Sequence, residues 1–452
     1  MEKTGRGSDI VLLFDYYNVY SRNLHESFKN AGYDIPVVVI SEEGFLPDDT
    51  VNVYEYFLKN AHEDNHDISK RKPRYFNQID KPEYWEITGN NTEGAISDKG
   101  HERGKIFYSV PKNKRLVNIV DWKDETGIVR CSEHYNKQGF LYARTIFNKK
   151  GQKVNKSYFD EKGREVIVEN YVTGDVILNH QNQVLIFKNK TDFVVYFMKI
   201  AGYDKRRVFF NSLSTPFFVS NQLPVMDEKQ DILFWQEPTG ESIPGNMSFI
   251  FEGKAPRCSR VIVQRQDSFD RLISLGVHRS KISKIGFIYS YVKENLGRPD
   301  ALICTNTEKV EKLSELAEML PEVTFHVTAL TEMSAKLLSH EKYKNVRMYP
   351  NVSMTTLDRL FIQCDFFLDI NHEGEIVDAT RKAFMHNHLI LAFSETSHGK
   401  EYTNPTNIFD IKDSASLANR IKSCLTDSKY LIACIDSQQK HALSAEKSDY
   451  DL

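Results

Sequence analysis

Cysteine is scarce in this sequence: six in 452 residues, at positions 131, 258, 304, 364, 424 and 434, with no CxxC among them. That excludes a disulfide-stapled secreted scaffold and the common zinc and redox motifs, and placements such as Ala301-Leu-Ile-Cys304 mark buried thiols in a reducing, cytoplasmic compartment. Long apolar runs are missing as well. Ile10–Phe14 and Leu389–Phe393 are among the longest, far short of the roughly 18 residues a membrane-crossing helix needs, and MEKTGRGSDI carries no signal-peptide pattern. Neither sign of charge dominates: 59 Lys and Arg against 62 Asp and Glu leave −3, so no global field favours nucleic acid or anionic lipid. The first apolar run ends in Asp15-Tyr-Tyr-Asn18, not in GxGxxG or GxxxxGK, and neither GxSxG nor HExxH occurs anywhere. No cofactor or metal is expected, and His372 and His386 read as structural.

Aromatic residues are plentiful, with 22 Tyr and 28 Phe in a total aromatic share of 12%. Their setting changes along the chain. Residues 1–70 open as strand, helix, strand: Ile10–Phe14, a helical pattern closed by Gly32, then Val37-Val-Val-Ile40, the start of a parallel α/β sheet. Over 71–188 the pattern alternates, as in Arg115–Trp122, Phe140–Phe147 and Arg164–Tyr171, and a repeat appears: Asp124-Glu-Thr-Gly127, Asn136-Lys-Gln-Gly139, Asn148-Lys-Lys-Gly151, Asp160-Glu-Lys-Gly163. An Asp or Asn that opens a turn and a Gly that supplies positive φ at its end make each unit one strand plus one hairpin loop, so an antiparallel β-meander is predicted. Trp122, Tyr135, Phe147, Tyr158 and Tyr171 offer more apolar surface than a lone sheet hides; they pack on their own domain or form a subunit interface.

The α/β rhythm returns over 189–284, with Asp192–Ile200 helical and strands at Arg207–Phe210, Ile232–Trp235 and Val261–Val263, which closes the first domain around the inserted sheet. A second series over 285–452 alternates strands (Ala301–Cys304, Val323–Val327, Val346–Tyr349, Phe366–Asp369, Leu389–Phe393) with helices expected over Lys309–Leu320 and Glu332–Tyr343. Two doubly wound sheets leave a cleft on which strand carboxyl ends converge.

The sharpest local pattern runs from Phe367-Leu-Asp-Ile-Asn371-His372-Glu373-Gly-Glu375 to Arg381 and Phe384, out of a strand and into a helix. Here the chain resembles a retaining GT-B glycosyltransferase. That superfamily carries two glutamates at this place, one for the donor sugar and one for the ribose. Glu373-Gly374 fits the first, but the second position is Arg381, which has no hydrogen-bond acceptor to offer a ribose. The leaving diphosphate also needs a cation, and the superfamily's Gly-Arg turn reads Thr305-Asn306-Thr307, with neutral Asn306. Lys309 and Lys312 follow as a solvated helix face. Asn306, Asn371, His372, Glu373 and Arg381 therefore read as a donor site that has lost its charge pattern.

Over most of its length the sequence resembles one family: the non-catalytic, stabilising subunit of the cytoplasmic O-glycosyltransferase that modifies serine-rich repeat adhesins of Gram-positive bacteria. The residues that carry this include Leu12-Phe-Asp-Tyr-Tyr-Asn18, Gly44-Phe-Leu-Pro-Asp-Asp49, Tyr84-Trp-Glu-Ile87, Val166–Asp175, Asn211-Ser-Leu-Ser-Thr-Pro-Phe-Phe218, Ile232-Leu-Phe-Trp-Gln-Glu-Pro238, Ala329–Ser334 and Tyr349-Pro-Asn-Val352. The resemblance implies a GT-B fold of two Rossmann-like domains with a β-meander inserted in the first. It also implies pairing through those sheets with a homologous catalytic subunit, two of each in a heterotetramer. The partner uses UDP-N-acetylglucosamine; the stabilising subunit holds the unfolded Ser/Thr-rich adhesin and works in the accessory Sec pathway at the inner face of the membrane.

An extended Ser/Thr chain offers amides and small side chains, so its site should present amide, hydroxyl and aromatic groups. The candidates are Tyr16, Tyr17 and Asn18 after the first strand, Ser212 and Ser214 near the third, and Trp235, Gln236 and Glu237 after the fourth, Trp235 reading equally as core. No residue is expected to be catalytic. Two rivals stand beside this reading: an active glycosyltransferase in which Glu373, Glu375 and Lys309 rebuild a donor site, and a scaffold that recognises acceptor already bearing sugar.

Overall fold

The structure is a computed structural model that describes residues 6–41, 43–59, 71–226 and 230–452. The first five residues, and residue 70 at the expected edge of the inserted sheet, lie outside the described residues. The chain divides into two compact units, Met1–Lys284 and Ile285–Leu452. The fold is α/β and GT-B glycosyltransferase-like: two Rossmann-like parallel sheets, with an antiparallel meander inserted in the first.

In the first unit a seven-stranded parallel sheet runs, in spatial order, Ile282–Lys284, Cys258–Val263, Asp231–Trp235, Arg207–Phe210, Ile10–Phe14, Val37–Val39, Val51–Asn52. Ile10–Phe14 is buried at every position, as a central strand covered by helices on both faces must be. The chain leaves this strand towards Val37–Val39 and, after the meander, returns on its other side at Arg207–Phe210. The order therefore reverses between these two strands. Arg257 and Asp231, both 0% exposed, lock the amino end of the sheet: the guanidinium donates to the carboxylate at 2.9 and 3.1 Å and to the carbonyls of Pro224, Asp204 and Arg206.

The inserted sheet has ten antiparallel strands in sequence order, from Glu86–Gly89 to Gln183–Phe187. Each repeat loop is built the same way. The opening Asp or Asn accepts, through its side chain, the amides two and four residues on, and its carbonyl accepts the amide of the glycine that follows. Gly127, Gly139, Gly151 and Gly163 take φ of +83°, +81°, +73° and +76°, the left-handed region that costs a glycine nothing. Gly139 is constrained twice, since a Cβ there would meet the Lys72 carbonyl oxygen at 2.5 Å.

Cross-strand register puts Ala143, Tyr158, Ile167 and Leu178 on one face, which packs into the core of the parallel sheet with Tyr54, Phe57 and Phe193. Glu169, also buried, takes hydrogen bonds from the hydroxyls of Tyr54, Tyr158 and Tyr171 and pairs with Lys190 at 3.2 Å. The meander is thereby bonded to the domain that it interrupts.

The second unit holds a six-stranded parallel sheet ordered Val346–Tyr349, Thr324–Thr328, Asp300–Cys304, Phe366–Asp369, Leu389–Phe393, Ile408–Phe409, reversing between Asp300–Cys304 and Phe366–Asp369. The helices expected here are shorter. Lys309–Leu320 contracts to Leu313–Met319, because Lys312 adopts φ +55° and Val310 bridges to Asn371 instead of coiling. Glu332–Tyr343 becomes a single turn, Ala335–Leu338, opened by a Ser334 cap and continued as a 3-10 segment. Five of the six cysteines are buried; Cys131, on the meander, is half-exposed, and burial still pushes its thiol up to about 11. No helix among the described residues is long and apolar enough to cross a membrane.

Candidate functional site

The reversal point of the first sheet gathers polar side chains. Asp15 stands immediately past Ile10–Phe14; Asn211 and Ser212 stand past Arg207–Phe210. Asn211 Oδ1 accepts the Asp15 amide at 3.4 Å, while its Nδ2 donates to Ser21 Oγ at 2.9 Å and Gln236 Oε1 at 3.2 Å. Gln236 in turn donates to Gln264 at 2.7 Å and to the Tyr20 carbonyl at 3.2 Å. This layer of amides is a fixed floor. Next to it the Asp15 carboxylate is 9% exposed, with the Ser212 and Ser214 hydroxyls near enough to pull its pKa down. Burial raises the Asp15 pKa against the pull of Lys190, and Glu237 is raised by partial burial and then by the Asp15 charge.

The acceptor candidates sort accordingly. Tyr16 is 58% exposed and free to meet a ligand, and Ser212, Ser214 and Glu237 lie around Asp15. Tyr17 bonds through its hydroxyl to His25 at 2.9 Å, and Asn18 caps the helix Val19–Asn30 by accepting the amides of Tyr20 and Ser21. Trp235 is 4% exposed within the apolar core, its indole N–H donating to Thr239 at 3.1 Å, so its place is packing. Gln236 belongs to the amide floor. Asp15, Asn211, Gln264 and Lys190 were not singled out from sequence. The signal for Asp15 was a charge directly after five consecutive apolar residues.

At the reversal point of the second sheet neutral side chains bond to one another beside a carboxylate–histidine pair. Thr305 Oγ1 donates to Asn371 Oδ1 at 2.7 Å, and Asn371 Nδ2 donates to the Glu373 carbonyl at 2.7 Å and to Asn306 at 3.4 Å. His398 bonds Asp369 at 2.6 Å and, through its other nitrogen, the Glu373 carbonyl at 2.6 Å; the hydrogen bond to Asp369 raises its pKa. His372 pairs with Glu311 at 2.6 Å. Arg381 lies on the helix Ala379–Met385, close enough for its charge to act on the buried Tyr289 hydroxyl. Asn306, Asn371 and Glu373 are thus drawn together by their own hydrogen bonds, while His372 bonds to Glu311 and the Lys309 carbonyl instead. Among the described residues no three His, Cys, Asp or Glu gather as a metal ion would need.

The aromatic positions of the meander do not share a face. Trp122 pairs with Cys131, three residues from His134, and an odd separation along a strand means opposite faces, so equivalent positions of successive repeats alternate. Tyr158 is accordingly 0% exposed, stacked on Tyr54 at 4.4 Å, and Tyr135 is 4% exposed with its hydroxyl on Glu133; neither presents surface to a partner, contrary to expectation. Trp122 is half-buried beside Trp85, Phe147 is half-buried, and Tyr171 is 41% exposed. The outward face of the later strands carries Ile146, Val168, Ile177, Val184 and Ile186, with Ile186 68% and Val184 66% exposed.

Family models match this architecture piece by piece: the GtfB N-terminal domain over residues 11–57, the GtfB middle domain over 85–188, the GtfB third domain over 190–275 and the GftB/GlyA-F C-terminal domain over 301–438. The UDP-N-acetylglucosamine–peptide N-acetylglucosaminyltransferase stabilizing protein GtfB of Streptococcus gordonii is 39% identical over 98% of this chain and 97% of its own. Its counterpart in Streptococcus agalactiae is 40% identical over 97% of each. The chain belongs to the GtfB family. A chain from the crystal structure of the GtfA/B complex bound to UDP and GlcNAc is 39% identical and superposes with a TM-score of 0.88, covering 97% of this chain and 98% of that one. At 12% identity and a TM-score of 0.58, the accessory secretory protein 1, 2 and 3 structure from Streptococcus pneumoniae shares the fold over 96% of both chains. GtfB proteins are named for stabilising the transferase, and this member is a stabilising subunit, not the catalytic one.

Proposed function

We propose that the chain holds an unfolded Ser/Thr-rich polypeptide, a serine-rich repeat adhesin, for a catalytic partner that transfers GlcNAc from UDP-GlcNAc to its hydroxyls. The observation that carries this is the contrast between the two reversal points. The second presents neutral Asn306 and a self-bonded loop where a leaving diphosphate would require cations. The first presents Asp15, Glu237 and hydroxyls, which suit a neutral, hydroxyl-bearing polymer and repel phosphate. Tyr16 gives such a polymer an aromatic surface to lie on.

The partner docks on the outward face of the meander, where Ile146, Val184 and Ile186 leave apolar surface uncovered, with Trp122, Phe147 and Tyr171 at its margins. Two copies of each subunit make the heterotetramer, which works in the cytoplasm at the inner face of the membrane with the accessory Sec machinery. Ile186→Asp together with Val184→Asp should abolish co-purification with the catalytic subunit while leaving the melting transition intact. Retained co-purification would remove this face from the interface.

Sugar transfer from labelled UDP-GlcNAc to a Ser/Thr-rich polypeptide tests the whole reading, with this chain alone, the partner alone and the two together. Transfer strongest in the mixture, with no heat of donor binding to this chain, is the expected result. Transfer by this chain alone would overturn it.

A further inference from the structure

Doubly wound sheets bind ligands in the crevice where strand order reverses, because the flanking loops part there. In the first unit that crevice lies between Ile10–Phe14 and Arg207–Phe210, and the side chain at its centre is a carboxylate. Elsewhere in the same sheet a buried carboxylate is structural: Asp231 is held by Arg257, Ser220 and the Val208 amide. Asp15 is held differently. Ser212 and Ser214 stand near it, but among the described residues no ion pair and no side-chain hydrogen bond meets its carboxylate, so a side chain only 9% exposed keeps its acceptor positions for a ligand. The cation that acts on it, Lys190, is shared with Glu169 at 3.2 Å.

Two further features show local stability given up around this group. Ser214 occupies the N-cap of Thr215–Gln222 yet makes no capping hydrogen bond with its side chain, which leaves its hydroxyl available beside Asp15. Glu237, just past the strand Asp231–Trp235, lies near enough for the Asp15 charge to raise it further, a like-charge proximity that works against stability.

We propose that Asp15 reads the side-chain hydroxyl of acceptor serine and threonine: the hydroxyl donates to the carboxylate between Ser212 and Ser214, with Tyr16 and Glu237 at the rim of the site. The inference rests on the acceptor-holding role proposed above and deepens it by naming the group that separates hydroxyl-bearing residues from alanine. Asp15 is a positioning residue, and no bond is made or broken at it. A site built around a hydrogen bond to a substrate hydroxyl discriminates strongly, because an analogue lacking the hydroxyl desolvates the carboxylate without replacing its donor.

The test uses the assembled complex of this chain with its catalytic partner and two labelled polypeptides, one Ser/Thr-rich and one with every Ser and Thr replaced by Ala, titrated by fluorescence anisotropy. Asp15→Ala should weaken the Ser/Thr-rich polypeptide by about tenfold or more, the range for a lost hydrogen bond to a charged group, and leave the Ala polypeptide unchanged. Asp15→Asn keeps the shape and should fall between. Asp15 variants that bind the Ser/Thr-rich polypeptide as tightly as the unmodified complex, or that lose both polypeptides equally, would overturn the assignment while acceptor holding stands. An unmodified complex that binds neither polypeptide would overturn both.

Discussion

The two parallel sheets are alike at their amino ends and unlike at their carboxyl ends. Each has a fully buried carboxylate clamped below it, Asp231 by Arg257 in the first and Asp365 by Arg298 and Lys293 in the second. At the opposite edge the first keeps an under-bonded acid, Asp15, while the second stitches Thr305, Asn306 and Asn371 together. The two frameworks share a clamp at the amino end and differ at the carboxyl end, where the second is bonded to itself.

Removing the clamps is the hardest blow to that likeness. Arg257→Ala leaves the buried Asp231 charge without its counter-ion and three carbonyls without this donor, a loss of about 3–5 kcal/mol that chemical denaturation would register. Arg298 is half-exposed and Lys293 remains beside it, so Arg298→Ala should cost less, roughly 1–3 kcal/mol. Equal losses would end the distinction. Burial tends to raise Asp365, but the hydrogen bonds from Arg298 and Lys293 outweigh it and hold the group at about 2. Its contribution is therefore complete above the ordinary carboxylate range and drains away as pH falls towards 2, a loss that Arg298→Ala should blunt.

At the carboxyl ends the expected effects are smaller and of opposite sense. His398, raised by Asp369, stabilises the second unit below the ordinary histidine range, and that contribution is lost as pH rises through its elevated value. Melting at pH 6 and pH 8 should differ less in His398→Asn than in the parent. Asp15, with Lys190 and Glu237 facing it, is raised by burial, so its ionised form is a liability at neutral pH. Asp15→Asn should raise the melting temperature slightly, the sign opposite to that of the clamp substitutions and the one expected if the group is kept for binding.

Much of this was legible in the sequence. Ile10–Phe14, Arg207–Phe210, Phe366–Asp369 and Leu389–Phe393 fall where apolar runs place them, because strands buried on both faces have no polar side to blur the signal. The repeat loops were equally plain, since Asp or Asn and Gly at fixed offsets encode their own hydrogen bonds. What failed depended on tertiary contacts. Lys309–Lys312 carries helix-forming residues but is drawn into a bridge with the neighbouring strand end. Gln236 sat beside Glu237 as one candidate pair, yet one is a buried amide bridge and the other a rim carboxylate, a difference that only the neighbouring Asn211 and Gln264 decide. Tyr135 and Tyr158 were grouped with Trp122 by spacing alone, and spacing does not reveal register.

That register bears on how the meander can change over generations. One repeat adds one strand and one loop, which reverses the direction of all that follows and turns every later side chain to the other face. Tyr158 would then look outward, and Ile186 would press on the core. Only two repeats gained or lost together restore both heading and face. The sheet can therefore lengthen or shorten by hairpin pairs alone, so lineages of this family should differ in meander length by even numbers of strands.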